Sequence, residues 1–241
     1  MYAAPPAELA DTVAANVAAA VAMRPRAVLS PAEVEAANAE LEQATPSEIV
    51  AWAHSRFGAQ LVLTASFADT TLIDLATAVA PDIEVIFLDT GFHFAETLNT
   101  VRRAMERYAL NLTVLRPDPT AVDVWAAGSE ACCEARKVAP LADYLPGRAD
   151  AWLSGLRRAD SPARADAPIV SIDRRGLVKI NPMANMTDAE YAAYQADRDV
   201  IVNTLAYDGY ASIGCWPCTE KADDRSGRWA GSGKSECGLH L

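Results

Sequence analysis

Cysteine is scarce in this chain of 241 residues. There are five in all: an adjacent pair, Cys132-Cys133, a Cys215-x-x-Cys218 motif, and a single Cys237 near the end. Histidine is scarcer still, at three. No stretch reaches the roughly 18 consecutive apolar residues that a membrane-crossing helix needs, so no span is expected. No lysine or arginine precedes Arg24, and Glu8 and Asp11 fall among the first residues, which does not fit a secretory leader. Without export, free or metal-bound thiols are expected rather than structural disulfides, and with them a cytoplasmic location. Glycine-rich phosphate loops of the G-x-x-x-x-G-K or G-x-G-x-x-G kind are absent. Basic side chains are almost missing from the first hundred residues, where Arg24, Arg26 and Arg56 stand against thirteen acids. The remainder holds eighteen basic residues against nineteen acids. The net charge of −11 argues against nonspecific nucleic-acid binding. The basic doublets of the second part, Arg136-Lys137, Arg157-Arg158, Arg174-Arg175 and the spaced Arg225/Arg228, leave room for an anionic small molecule; taken singly, each reads as solvated surface charge.

What is present is a large apolar fraction, 51%, enough for a substantial core. The Ala-rich stretch to about Arg26 reads as a helix or a loose arm. Ser30-Pro31-Ala32-Glu33 and Thr45-Pro46-Ser47-Glu48 each carry a cap residue, a first-turn proline and a glutamate three residues after the cap. The second of these helices should close at Gly58. Short apolar runs then alternate with helical patterns. Strands are expected at Gln60–Ala65, Ile83–Leu88, Leu112–Leu115, Trp152–Leu156 and Ile169–Ile172, with Leu177–Ile180 as a hairpin partner. Thr187 to Glu190 caps a further helix. This alternation predicts an α/β fold, a parallel twisted sheet flanked by helices. The division expected is a helical segment over 1–58, an α/β nucleotide-binding body over 59–220, and a flexible tail over 221–241. In such sheets ligands bind beyond the carboxyl ends of the strands. The segments emerging there are Ser66–Thr70, Asp89–His93 and Gly155–Arg158.

The turn after the first strand offers the hydroxyls of Ser66, Thr70 and Thr71 and the N–H groups of a helix start, an arrangement that suits a phosphate. An ordinary capped turn is the plain alternative. Cys215-Trp-Pro-Cys218 lets two thiolates meet one metal centre, or acts as a redox dithiol. The distant Cys132-Cys133 pair favours four-thiolate ligation, although neighbouring side chains tend to point apart. Spacing alone does not separate zinc from iron–sulfur. Cys237, among Lys234, Arg225, Arg228 and His240, reads as an activated thiolate on a movable tail. His93 follows a strand end at the rim of the expected pocket.

Six motifs occur in order: Leu88-Asp-Thr-Gly-Phe-His-Phe94, Cys132-Cys-Glu-Ala-Arg-Lys137, Trp152-Leu-Ser-Gly-Leu-Arg-Arg158, Ser212-Ile-Gly-Cys-Trp-Pro-Cys218, Arg225-Ser-Gly-Arg-Trp229 and Glu236-Cys-Gly-Leu-His240. Together they resemble the assimilatory adenylylsulfate (APS) reductases of the phosphoadenylylsulfate (PAPS) reductase family, over roughly Leu61 to His240. The resemblance implies an adenine nucleotide alpha hydrolase-like fold and one [4Fe–4S] cluster on Cys132, Cys133, Cys215 and Cys218. It implies Cys237 as the nucleophile, with Lys137, Arg157, Arg225, Arg228 and His240, beside Ser66, at the substrate. It implies APS as substrate and thioredoxin or a similar dithiol as reductant, and a homo-oligomer is compatible with it. The Ser66 turn is a residue or two shorter than the family's usual loop. The rival readings are a PAPS reductase, an ATP pyrophosphatase of the same fold that adenylates a substrate, and a non-enzymatic metal-thiolate redox sensor.

Overall fold

A computed structural model describes residues 26–232, 234 and 236–239. The Ala-rich stretch before Arg26, and His240, lie outside the described residues. Helices α1 (Pro31–Leu41) and α2 (Pro46–Phe57) begin as their sequences dictate. Ser30 Oγ accepts the Glu33 N–H while the Glu33 carboxylate takes the Ser30 N–H at 2.8 Å; Thr45 and Glu48 repeat the exchange. Gly58 closes α2 at φ 52°, a left-handed conformation that costs glycine little.

The sheet follows. Its strands are β1 (Leu61–Ala65), β2 (Glu84–Leu88), β3 (Asn111–Leu115), β4 (Ala151–Leu153), β5 (Val170–Ile172) and β6 (Val178–Ile180). They lie in the order β3-β2-β1-β4-β6-β5. All neighbours are parallel except β5, which runs antiparallel to β6 with Val170 opposite Ile180. Pairing in β4 stops at Leu153, three residues short of the expected strand end, and the chain passes directly into Gly155-Leu156-Arg157.

Strand side chains alternate between two cores, as the two-residue period of a strand requires. Leu61, Leu63, Val85, Phe87 and Leu153 face one, together with α1, α2 and helix α3 (Thr71–Val79). Val62, Ile86 and Trp152 face the other. There they meet Leu141 of helix α6 (Ala139–Tyr144), which follows α4 (Ala95–Tyr108) and α5 (Val124–Cys133) along the chain. Helix α7 (Asp188–Asp197), capped by Thr187 and Glu190 as expected, docks on α3. Its Tyr194 hydroxyl and Arg198 Nε, just past its end, both reach the buried Asp74, at 2.7 and 2.9 Å.

Strand order reverses direction between β1 and β4, so the loops leaving their carboxyl ends diverge. That opens a crevice there, where open α/β sheets bind ligands.

Candidate active site

A cleft of about 650 Å³ occupies that crevice. The volume lies within the usual span for small-molecule sites, roughly 300–1,000 Å³. Its inner wall is largely apolar: Ala65, Leu72, Ile86, Phe87, Leu88 and Met183. Charged side chains line it as well. Lys137, Arg157, Arg225 and Arg228 line it together with Ser66 and Cys237. Ser66, Lys137, Arg157, Arg225, Arg228 and Cys237, expected separately from the sequence, therefore share this cleft, and His240 is outside the described residues.

Each of the first two basic doublets divides its labour. Lys137 faces the cleft, while Arg136 straps the scaffold through the carbonyls of Thr90, Ala121 and Val122. Arg157 faces the cleft, stacked 4.1 Å from the Tyr191 ring and paired with Asp160 and Asp188. Arg158 turns away to Glu42.

Arg225 and Arg228 share Ser212, at 3.3 and 3.5 Å. Arg228 also donates to the Ile213 carbonyl at 3.2 Å. The Nε of each guanidinium is buried and has no hydrogen-bond partner among the described residues. Unspent buried donors on two adjacent cations are what an incoming anion would bind. Burial and mutual repulsion both act to lower their proton affinity: burial comes first for each, then Arg164 for Arg225 and Arg225 for Arg228. Arg228 lies flat on Gly214, where a Cβ would stand 2.2 Å from its Nη2.

The Ser66 turn departs from expectation. Phe67 is fully buried with φ 56°. The Thr70 N–H is spent on the Ile201 carbonyl and the Thr71 N–H on Asp69 Oδ1, at 3.0 and 2.8 Å. The Thr70 hydroxyl takes the Ile201 N–H, and the Thr71 hydroxyl takes Gln195 Nε2. The N–H groups of Thr70 and Thr71 are thus occupied, the latter by the Asp69 carboxylate. Of the three hydroxyls, only that of Ser66 lines the cleft.

His93 lines the cleft too. It donates from Nε2 to the Leu88 carbonyl at 2.8 Å, which leaves Nδ1 as a buried acceptor without a partner among the described residues. Burial holds its proton affinity below the ordinary histidine range.

Behind the cleft lies a small cavity lined by Cys132, Cys133, Cys215 and Cys218 with Thr90, Lys137, Arg228 and Trp229. Two elements bring the thiols together. Asp123 caps α5, whose last two residues are the adjacent cysteines, and the chain then loosens into a π-helical turn over Glu134–Val138. Consecutive helical residues diverge by about 100°, yet both sulfurs reach this cavity, and the π turn carries Arg136 and Lys137 onto its rim. Such turns commonly mark functional sites. The Cys215–Cys218 turn is held from the other side. The Trp216 N–H binds the Phe92 carbonyl at 2.8 Å, and Thr90 Oγ1 lies 3.2 Å from Cys215 Sγ. Because that oxygen already accepts the Phe92 N–H, its own proton is free for the sulfur.

None of the five cysteines is joined in a disulfide. Among the described residues no group of three Cys, His, Asp or Glu side chains is arranged around a single metal ion. The donor set fits a cluster whose corners each take one thiolate. Burial, then Cys133 and Cys215, push the Cys132 thiol up to about 11. Burial also raises Cys218. Lys137 shows the counterpart: burial would depress its ammonium, but Cys215, Cys237 and Cys133 more than reverse this.

Cys237 is buried against Cys133 and Trp229 at the junction of cavity and cleft. The described residues of the tail are tied down at two points here. Glu236 is clasped by Arg164 and Arg225, and Lys234 Nζ reaches the Ser129 carbonyl at 3.2 Å. Sequence reasoning missed Arg164, a buried guanidinium in a 3₁₀ turn (Pro162–Arg164) between β4 and β5. It also missed Lys179 of β6, buried 5.6 Å from the Trp152 ring and pushed down to about 8 by burial and then by Arg164. Nothing in their immediate sequence separates either from ordinary surface charge. No helix among the described residues is long and apolar enough to cross a membrane.

These features define a class: an α/β protein with a mostly parallel sheet and a cationic, thiol-bearing cleft at the switch point of its strand order. Residues 60–221 match the phosphoadenosine phosphosulfate reductase domain, and the chain belongs to that family, the one its six motifs resemble. It is 43% identical over 217 residues to the adenosine 5′-phosphosulfate reductase of Mycolicibacterium smegmatis, an alignment covering 84% of this chain and 91% of the relative. The same protein of Mycobacteroides abscessus is 43% identical over 215 residues, covering 84% and 90%. The crystal structure of a phosphoadenylyl-sulfate (PAPS) reductase from Candida auris, a phosphate complex, superposes with a TM-score of 0.72 at 27% identity, covering 81% of this chain and all of that one.

Proposed function

We propose that this chain is a thioredoxin-dependent adenylylsulfate reductase, converting adenosine 5′-phosphosulfate to sulfite and AMP in cytoplasmic sulfate assimilation. The observation that carries the reading is the meeting of Cys237 with Lys137, Arg225 and Arg228 in a cleft whose inner wall is apolar. Adenine suits the apolar end, and the phosphosulfate suits the cations. The relatives at 43% identity are named for APS, which sets that substrate before PAPS.

The Cys237 thiolate attacks the sulfate sulfur. An S–S bond forms, the sulfur–oxygen bond to the phosphate breaks, and AMP leaves with the bridging oxygen. The unspent N–H groups of Arg225 and Arg228 offset repulsion between thiolate and sulfate and steady the phosphate charge that develops. A dithiol such as thioredoxin then attacks the Cys237 sulfur of the S-sulfocysteine, and sulfite departs with the electron pair. The second thiol of the reductant closes its own disulfide and returns Cys237 as a thiol. Two electrons pass from the dithiol to sulfur, which falls from the sulfate to the sulfite level. Cys132, Cys133, Cys215 and Cys218 would hold one [4Fe–4S] cluster. Bound there, it would tie the end of α5 to the C-x-x-C turn and fix the charge facing Lys137.

The test is sulfite release from APS and from PAPS, side by side, with reduced thioredoxin. APS is expected to be favoured at least about tenfold in kcat/KM. A preference for PAPS overturns the substrate, and absence of sulfite from both overturns the reaction.

Gly214 offers a second prediction. In Gly214→Ala the new Cβ displaces the Arg228 guanidinium from Ser212 and Ile213. Losing a charge-assisted contact to an anion costs about 1.5–3 kcal/mol, so KM for APS should rise about tenfold or more. Steady-state kinetics give the answer. An unchanged KM would mean that Arg228 does not hold the anion.

A further inference from the structure

The tail that carries Cys237 is tied to the body by an ion-pair chain that the proposed chemistry does not use. Glu236, its carboxylate nearly buried at 12% exposure, meets Arg164, exposed by only 8%. The pair is a fork: Arg164 Nε to Oε1 at 2.6 Å and Nη2 to Oε2 at 2.8 Å. Arg164 is itself fixed by Asp160 through Nη1 at 2.8 Å, and Asp160 in turn holds Arg157, which also lines the cleft. On its other side Glu236 Oε2 accepts from Arg225 Nη2 at 2.9 Å. The backbone just beyond is seated tightly: a Cβ on Gly238 would lie 3.2 Å from Val138 Cγ2, and Leu239 packs against the core around Leu141.

We infer that Glu236 and Arg164 form the dock that seats Cys237 in the cleft, with Glu236 acting as a positioning residue. Bidentate arginine–carboxylate geometry fixes orientation as well as distance. Fixing residue 236 therefore fixes the neighbouring sulfur to within a bond rotation. Arg225 joins the two functions. Its Nη2 holds the dock and its Nε is free, so an anion can take the free edge while Arg164 alone retains the tail. Cys237 is then already beside the sulfur when substrate arrives, and leaving the cleft to meet a reductant requires only that the fork open. Burial works against the Glu236 charge, and the Arg164 fork overcomes it, holding the carboxyl below its usual range.

The dock itself is independent of the substrate, while its benefit to turnover rests on the proposed reductase reading. The experiment separates the two. Iodoacetamide is applied to the reduced, folded full chain without substrate, and each cysteine peptide is followed by mass spectrometry. In Glu236→Gln, and in Arg164→Lys, which keeps the charge but loses the fork, Cys237 should be alkylated about tenfold faster or more, with the rates at Cys132 and Cys133 unchanged. In turnover of APS both variants should lose about tenfold in kcat with KM altered less than threefold, the pattern of a misplaced nucleophile in an intact binding site. Unaltered Cys237 labelling in both variants overturns the dock. So does equal acceleration at every cysteine in both, which marks general loosening of the fold. Faster labelling at Cys237 alone in a protein inactive on APS would leave the dock standing and the reductase reading fallen.

Discussion

Cys237→Ser will abolish sulfite release and leave APS binding almost intact. The two halves of this expectation have different physical sources. Turnover fails because a serine hydroxyl at neutral pH is scarcely ionised, whereas a thiol supplies a usable thiolate fraction. Serine also cannot form the S–S bond from which sulfite later departs. A loss of about a thousandfold or more in kcat is expected, of the order seen when any obligatory nucleophile is removed. Binding survives because the groups suited to hold APS are elsewhere: Lys137, Arg225 and Arg228 on the charged side and Phe87, Leu88 and Met183 on the apolar side. The replacement is nearly isosteric and sits against Cys133 and Trp229, so the packing there changes little. Calorimetric titration with APS should give a Kd within about threefold of the parent. Sulfite release retained by Cys237→Ser would end the covalent mechanism, whatever the substrate.

Several parts of this site were legible in the sequence because they depend on neighbours along the chain. The three capping boxes are local exchanges between residues three apart, and each formed as written. The parallel strands and the β5–β6 hairpin followed from apolar runs and their punctuation. The loops that line the cleft followed from where those strands end. What escaped depends on residues far apart in sequence. The Ser66 turn reads as a phosphate loop until the segment from Ile201 to Asn203 folds beneath it, pairing Val202 with Asp69 and spending the Thr70 N–H. The adjacent cysteines read as divergent until the π turn and the Cys215–Cys218 segment close one cavity around them. Arg164 reads as a lone charge until Glu236, 72 positions later, binds it. The glycine- and charge-rich tail reads as solvated for the same reason: its ion pairs are tertiary.

Cys215→Ser tests the other half of the thiol arrangement. In the proposed reading Cys215 is a cluster ligand with no contact to the reacting sulfur, so its loss should act through iron and through stability together. It is buried, with Thr90 Oγ1 3.2 Å from its sulfur and its carbonyl accepting from Thr219 Oγ1 at 2.9 Å. A bound cluster joins the end of α5 to a turn some eighty residues later and so closes a long loop. By the loop-closure argument used for disulfides, such a tie is worth roughly 3–5 kcal/mol, and metal binding enters folding free energy in the same way. Removing one of four ligands leaves three thiolates to hold a cluster that needs four, which predicts loss of most of the iron. For a chain of this size the stability loss corresponds to a fall in Tm of about 6–20 °C. Turnover should drop with the iron, since Lys137 and Arg228 face this cavity on one side and the cleft on the other. The measurements are iron and acid-labile sulfide per chain after anaerobic purification, visible absorption, thermal unfolding and sulfite release. Zinc in place of iron and sulfide in the parent protein would replace the cluster with a single ion. Undiminished iron in Cys215→Ser would remove this cysteine from the ligand set. The isosteric change itself costs little at a position packed this way, so a full Tm loss without loss of iron would mean that the sulfur's protein contacts, and not a metal tie, hold the two segments together.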